Sequence, residues 1–330
     1  MRLARKVTIS LAALTAAFTF GVWTGSPIAG TQDTSENVTN VATVTSSSFK
    51  ANLGDKWETV KARAGMPKRF DTGIKETKWW IYDNDWIGYR NGKVVELFTS
   101  YPSMQYNGIK IGMTRGEVQK KLAYTSRPQW SVFNAMFSFQ NTGTEKVLYK
   151  AGSQALIAYY DTLDGNKLLG LRVVNPEELV YKKYFGYTYQ YVKRPTIPVF
   201  TTDAAAVNKQ GAEEILLLSN VERMKKKVPG LTWSSQAALS SYKHSKDMSV
   251  HKYFSHTLFD GRSPFDLMAA EKIKYSVAAE NIAMGYTDSI EAVFGWMNST
   301  GHRKSLLNPS FKKLGAGVYS TYYTQHFYTP

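Results

Sequence analysis

Five histidines are the whole imidazole supply of this 330-residue chain, and all of them lie between His244 and His326. Imidazole titrates near neutrality and ligates metals, so acid-base or metal chemistry is confined to the last quarter of the sequence. The densest stretch runs from His251-Lys252-Tyr253-Phe254-Ser255-His256, through Ala279-Glu280-Asn281-Ile282-Ala283, to Trp296-Met297-Asn298-Ser299-Thr300-Gly301-His302-Arg303. Ser299 and His302 raise the question of a serine nucleophile, but a helix break is expected between them and no oxyanion-hole glycine motif or third orienting group is evident. The absence of cysteine removes disulfides and thiolate metal ligands.

The elements that must hold these residues follow from periodicity. Leu217, Val221, Met224 and Val228 recur at helical spacing, predicting a first helix with that face inward, ended by Pro229-Gly230. A second helix is expected over 234–250, with His244 and His251 as packing or surface residues. Asp288, with Glu291 three residues on, starts a third through Ser299, whose buried face is Ile290, Val293, Phe294 and Met297; Trp296 and Ser299 fall on another face. Gly301 is expected to break that helix as a left-handed cap, presenting His302 at a C-terminal end where the helix dipole favours the protonated ring. Residues 315–319 and 323–328 read as paired strands. Alternation puts His326 on the face opposite Gln325 and Phe327, in a structural role outside any ligand shell.

Residues 209–330 carry an ordered series of blocks: Asn220-Val221-Glu222-Arg223, Leu231-Thr232-Trp233, His244 to Met248, Phe254-Ser255-His256 to Asp260-Gly261, Glu280-Asn281-Ile282-Ala283, Trp296 to Arg303, Leu307-Asn308-Pro309, Gly315-Ala316-Gly317-Val318 and Tyr323-Thr324-Gln325. The series resembles the CAP (SCP) superfamily of cysteine-rich secretory, antigen-five and pathogenesis-related proteins, in a cysteine-free bacterial form. The resemblance implies an α+β chain ending in an α-β-α sandwich. It implies a cleft formed by His256, Glu280, Ser299 and His302, in which His256, Glu280 and His302 are positioned to hold a divalent cation. Two imidazoles and a carboxylate suit zinc. Ser299 stands where eukaryotic members carry a second glutamate, so water would complete the shell. Leu267 replaces an arginine usual in bacterial relatives, and Ala279 a glycine. Family members mostly bind rather than turn over their targets; a metal-dependent hydrolase with Glu280 as base is the alternative.

The preceding chain delivers this domain. Arg2, Arg5 and Lys6 come before an apolar run from Val7 to Trp23, so residues 1–32 read as a signal peptide or a membrane anchor, with poor cleavage signals favouring the anchor. Basic residues on the cytoplasmic side put the body outside the cell, as a single-pass anchored or a secreted protein. Residues 33–49 read as a flexible tether. Residues 50–192 form a hairpin-rich α+β domain with an internal repeat: Leu53-Gly54, Val60 and Ala64 recur as Ile111-Gly112, Val118 and Leu122, and Asn91-Gly92 and Asp164-Gly165 mark hairpin turns. With Ile109-Lys110-Ile111-Gly112-Met113-Thr114 and Trp79-Trp80-Ile81-Tyr82, this region resembles the CAP-associated domain of bacterial surface proteins. Asp83 and Asp85 read as a solvated turn, and the aromatics as a packed hairpin face. Pro195 and Pro198 place the interdomain link at 193–208.

A charge of +15, from 41 Lys and Arg against 26 acids, favours anionic partners. Outside the cell these are lipid or cell-wall polymer, and nucleic acid is excluded. The expected function is binding of an anionic or amphipathic ligand in the His/Glu cleft.

Overall fold

The computed structural model describes the backbone of Arg5–Ile9 and residues 47–330. Of the stretch expected to be a signal peptide or anchor, the part beyond Ile9, and most of the expected tether, lie outside the described residues. Among the described residues, no helix is long and apolar enough to cross a membrane.

The first domain is built on a seven-stranded antiparallel sheet in the spatial order Lys146–Ala151, Gln154–Asp161, Lys167–Val174, Lys93–Thr99, Trp86–Arg90, Lys78–Ile81, Arg69–Thr72. Both predicted hairpin turns form, with Asn91, Gly92 and Gly165 at positive φ. The repeat is structural. Gly54 and Gly112 share a φ of +88°, and their amides donate to Val94 and Leu168 beside the two hairpins. Each turn opens a helix, Trp57–Ala64 and Arg115–Gln119, and Thr114 with Glu117 forms the expected capping box. The Tyr-rich run supplies Tyr187–Tyr191, which pairs with Arg5–Ile9 on one side and Ala135–Phe139 on the other. Trp79, Ile81 and Tyr82 are buried, as a packed hairpin face requires. Asp85 departs from the solvated-turn expectation: it is buried and accepts the Lys50 amide at 3.0 Å, because the incoming chain folds over the turn.

The second domain is a three-layer sandwich. Its sheet runs Thr232–Trp233, Lys313–Tyr319, Tyr322–Thr329, Val277–Met284, antiparallel except for the short first strand. Helix Ala204–Lys225 covers one face and helix Ser235–His251 the other. On the strand between them, Gln325 donates to Ser219 of the first helix, while His326 meets Ser240 of the second. The inward face of Ala204–Lys225 is not the expected one: Leu217 and Met224 are exposed, and Ala212, Ile215, Leu218 and Val221 are buried. The apolar stripe of this helix is wider than its inward side, and buried Glu222 and Arg223 lie where polar residues misled the periodicity. Arg223 earns its place by donating to the carbonyls of Pro229, Leu306 and Asn308, tying down the segment after His302.

Two glycines set the depth of the other helix. A Cβ on Gly315 would stand 2.0 Å from the Ala238 amide, and one on Gly317 2.0 Å from that of Tyr242. Helix Ser235–His251 therefore lies with its backbone almost on the strand. The side chains at this contact are small: Ser241 and Ser245 donate to the carbonyls of Gly315 and Gly317 at 2.9 Å each.

The domains share one apolar core. Helix Ser289–Met297, N-capped by Asp288 as predicted, is enclosed on nearly every side: Trp296 turns to its own domain's sheet, where its indole donates to the Ile282 carbonyl at 3.0 Å, and the first domain's sheet covers the Phe294 side. Phe294 packs against Phe98 and Tyr159. Polar contacts frame the contact: Arg172 donates to Asp288 at 2.7 Å, and Arg303 grips Asp161 with two bonds of 2.7 and 2.9 Å. Asn298 accepts from the Thr162 amide and hydroxyl at 2.8 Å each and donates to the Tyr160 carbonyl.

Candidate functional site

Glu280 sits in the strand Val277–Met284, directly opposite His326 in the antiparallel register. Directly opposed residues project to the same face of a sheet. That face is the one on which helix Ser235–His251 lies, and the glycine-floored contact brings His244 down to the same carboxylate. Glu280 Oε2 is 2.5 Å from His244 Nδ1 and 2.8 Å from His326 Nε2; Oε1 is 2.7 Å from His256 Nδ1. The Glu280 carboxylate and the imidazoles of His244 and His326 are almost fully enclosed, whereas the His256 side chain is 40% exposed. Among the described residues, His244, Glu280 and His326 form a group whose potential ligand atoms all lie within 4.8 Å of one another.

The protonation pattern follows from the partners. The second ring nitrogen of His244, Nε2, is 3.1 Å from the Ser255 carbonyl, which can only accept. With an acceptor at each nitrogen, His244 must carry both protons as an imidazolium. Burial opposes that charge, but Glu280 raises the His244 pKa above its ordinary value. The same pairing works on Glu280: burial pushes its carboxyl up, yet the His244 charge and the hydrogen bonds from His244, His256 and His326 hold it well below the usual carboxylate range.

His302 differs from expectation. Gly301 does not end a helix; it lies inside a new one, Thr300–Leu306, so His302 occupies a first turn rather than a last. The dipole argument reverses there, since a helix start disfavours a cation. His302 Nδ1 is 2.8 Å from Ser299 Oγ. Burial, reinforced by the neighbouring His256 and partly offset by Glu280, pushes its pKa down to about 4. The Asn281 side chain donates to the His302 carbonyl at 3.0 Å, joining this helix to the Glu280 strand.

The four sequence-predicted cleft residues thus fall into two contacts, His256 with Glu280 and Ser299 with His302, joined through Asn281, which neighbours Glu280 and donates to the His302 carbonyl. Sequence reasoning missed His244 and His326, both expected to be outside the site. His326 does face away from Gln325, as alternation required, but the face it occupies is the Glu280 face. The available signal was that His244 opens one block of the series and His326 directly follows another; register and helix depth, which decide the contact, were not legible. His251 stays apart, bonded to Asp247 and stacked on Phe259.

A histidine-resolved NMR titration should separate these environments. One resonance, His302, should stay neutral on acidification to about pH 4, while that of His244 stays protonated above the ordinary value of 6.5. Removing Glu280 should bring the His244 midpoint down.

A sandwich with this His/Glu cluster at its sheet defines a CAP-type domain, and the comparisons agree. Residues 53–185 match the CAP-associated N-terminal family and residues 216–329 the Cysteine-rich secretory protein family. The chain belongs to the cysteine-rich secretory protein (CAP) family, in the form that carries a CAP-associated domain ahead of the CAP domain. It is 31% identical over 284 residues to the uncharacterized membrane protein YlbC of Bacillus subtilis (strain 168), covering 83% of this chain and 82% of that one. It is 37% identical over 129 residues to the uncharacterized protein YkwD of the same organism, covering 38% of this chain and 50% of YkwD. A crystal structure of an extracellular SCP-domain protein from Bacillus anthracis str. Ames superposes with a TM-score of 0.78 at 28% identity, over 84% of this chain and 94% of that one. A cysteine-rich secretory protein from Staphylococcus aureus shares the fold at 18% identity, with a TM-score of 0.72 over 84% and 91% of the two chains.

Proposed function

We propose that this protein acts outside the cytoplasm, anchored by its N-terminal segment or secreted, and binds an anionic or amphipathic ligand, lipid or cell-wall polymer, at the His256/His302 mouth of the CAP domain. The observation that carries this reading is the state of Glu280. Its carboxylate is held by three imidazoles and its proton affinity is strongly depressed. A general base works best with a pKa near the operating pH, so Glu280 is poorly suited to the hydrolase alternative. Its role is to fix His244, His256 and His326 in place. The extracellular and membrane descriptions of the relatives, and the +15 charge, support an anionic surface as the setting.

The donor chemistry at the mouth fits a divalent cation of the zinc class. His302 remains in the neutral, ligating form at neutral pH, His256 is exposed, and Glu280 Oε1 already faces His256. His256, Glu280 and His302 would hold the ion, which would supply a positive centre for an anionic ligand. The buried His244–Glu280–His326 group is closed by its own hydrogen bonds and by the second proton on His244, and an ion there would have to displace that proton.

Residues 47–330 should pellet with purified cell wall or anionic vesicles at low salt and come off as salt rises. Calorimetry should detect reversible zinc binding at about pH 7.5, where an unperturbed histidine is neutral, with His256→Ala and His302→Ala each weakening it by about tenfold or more. His251→Ala should leave it unchanged. Absence of pelleting at low salt would overturn the ligand class; zinc binding that depends on His244 and His326 but not on His302 would move the ion to the buried group.

A further inference from the structure

Away from the histidines, the two domains line a solvent-open cavity of about 370 Å³. That volume lies within the range of small-ligand pockets, and domain boundaries are a preferred place for them. The first domain contributes Tyr159, Tyr184 and Phe185; the second contributes Tyr286 and Phe294. The phenol tip of Tyr286 rests against helix Ser289–Met297, with its hydroxyl only 2.0 Å from where a Cβ on Gly295 would stand, so the glycine makes room for it.

The charges of this cavity run against the sign of the chain. Two carboxylates, Glu145 and Glu291, line it with a single cation, Lys146. Lys146 is already spent: its ammonium donates to Glu291 at 2.9 Å and to the Tyr184 carbonyl at 2.8 Å, and sits 5.0 Å over the Phe185 ring. Glu145 has no ion pair among the described residues. Glu145 is exposed to solvent at the cavity rim, where partial desolvation raises its pKa, and Tyr286 is pushed up to about 12 by burial and then by Glu145 and Glu291, so both carboxylates act on that hydroxyl. The lining therefore displays an ammonium already held by a carboxylate and an aromatic face, and with it a second carboxylate, Glu145, and a further ring, Tyr286, that have no cation of their own in the cavity.

We propose that the interdomain cavity is a binding site for a ligand that carries a primary or quaternary ammonium group on an apolar body. Aromatic faces attract such a cation through the ring quadrupole, and Glu145 supplies its counter-charge. The Gln140 and Thr142 side chains at the cavity wall offer hydrogen bonds to the polar remainder. The site is independent of Glu280, so its failure would leave the cleft proposal standing.

The test is ligand-observed NMR on the full chain with choline and with its uncharged isostere dimethylbutanol as probes. Choline should bind and the isostere should not. Glu145→Gln should weaken choline binding by about fivefold, the worth of a partly exposed ion pair. Glu145→Lys, which places a competing ammonium in the cavity, should abolish it, while zinc binding stays unchanged in both variants. No choline binding at tens of millimolar, equal binding of the isostere, or undiminished binding by Glu145→Lys would overturn the proposal. Glu145 lies on the surface, and Glu145→Gln keeps the fold if the lysine does not.

Discussion

Glu280→Ala should destabilise the protein by about 3–5 kcal/mol at pH 6, the usual cost of removing one partner from a buried ion pair. His244 and His326 are completely enclosed beside it. Without the carboxylate, the second His244 proton has no acceptor and the ring must either carry an unpaired buried charge or give the proton up. The pH dependence gives a sharper signature. Glu280 has a folded pKa far below its ordinary 4.5, so its contribution is complete above that value and fades only as pH falls through the depressed one. His244 has a folded pKa above its ordinary 6.5, so its contribution is complete below 6.5 and is lost as pH rises through the raised value. The stability difference between wild type and variant should therefore be largest between about pH 4.5 and 6.5 and shrink on the alkaline side. Urea denaturation at a series of pH values checks this. A difference that grows above pH 7 would contradict an imidazolium at His244.

Asp161→Ala is the second large effect expected, about 3 kcal/mol, and it should reach the cleft from the other domain. The Asp161 carboxylate is buried, takes two bonds from Arg303, and lies 3.5 Å from the Lys226 ammonium. Arg303 follows His302 in the same short helix, and Asn298, at the other end of this segment, is held by Tyr160 and Thr162. The whole stretch that presents Ser299 and His302 is thus clamped at both ends by one strand of the CAP-associated domain. Loss of the Asp161 carboxylate should loosen the partly buried seat of His302, moving its titration upward from about 4 toward the ordinary histidine value. Denaturation together with the histidine titration measures both. If stability falls while the His302 midpoint stays put, the clamp holds the domains together without positioning the cleft. Asp161→Asn, which keeps one acceptor, should fall between the two.

The parts legible in sequence are those fixed by neighbours along the chain. The Asp288 cap, the Thr114/Glu117 capping box, the Asn91-Gly92 turn and the two glycine turns of the repeat each depend on a few consecutive residues, and each forms as expected. The ordered family blocks likewise identified both domains and the sandwich, and they brought His256 and Glu280 to one site. Gly301 was the local exception. Its freedom to end a helix did not have to be used, because the chain restarts a helix at Thr300 and Arg223 and Asp161 hold the following turns.

What tertiary structure alone decided is which side chains share the carboxylate. The face of His326 followed from alternation, but its partner followed from strand register, which aligns residues 280 and 326 across the sheet. His244 reached the same atom because two glycines and a row of serines let a helix settle onto that strand. The enclosure of Phe294 came from a sheet more than a hundred residues earlier in the chain, through Phe98 and Tyr159. Caps and turns are set by steric and hydrogen-bond preferences that act over three or four residues. Register, packing depth and domain contact are set by the sum of many weak contacts between distant segments, and no short stretch of sequence carries that sum.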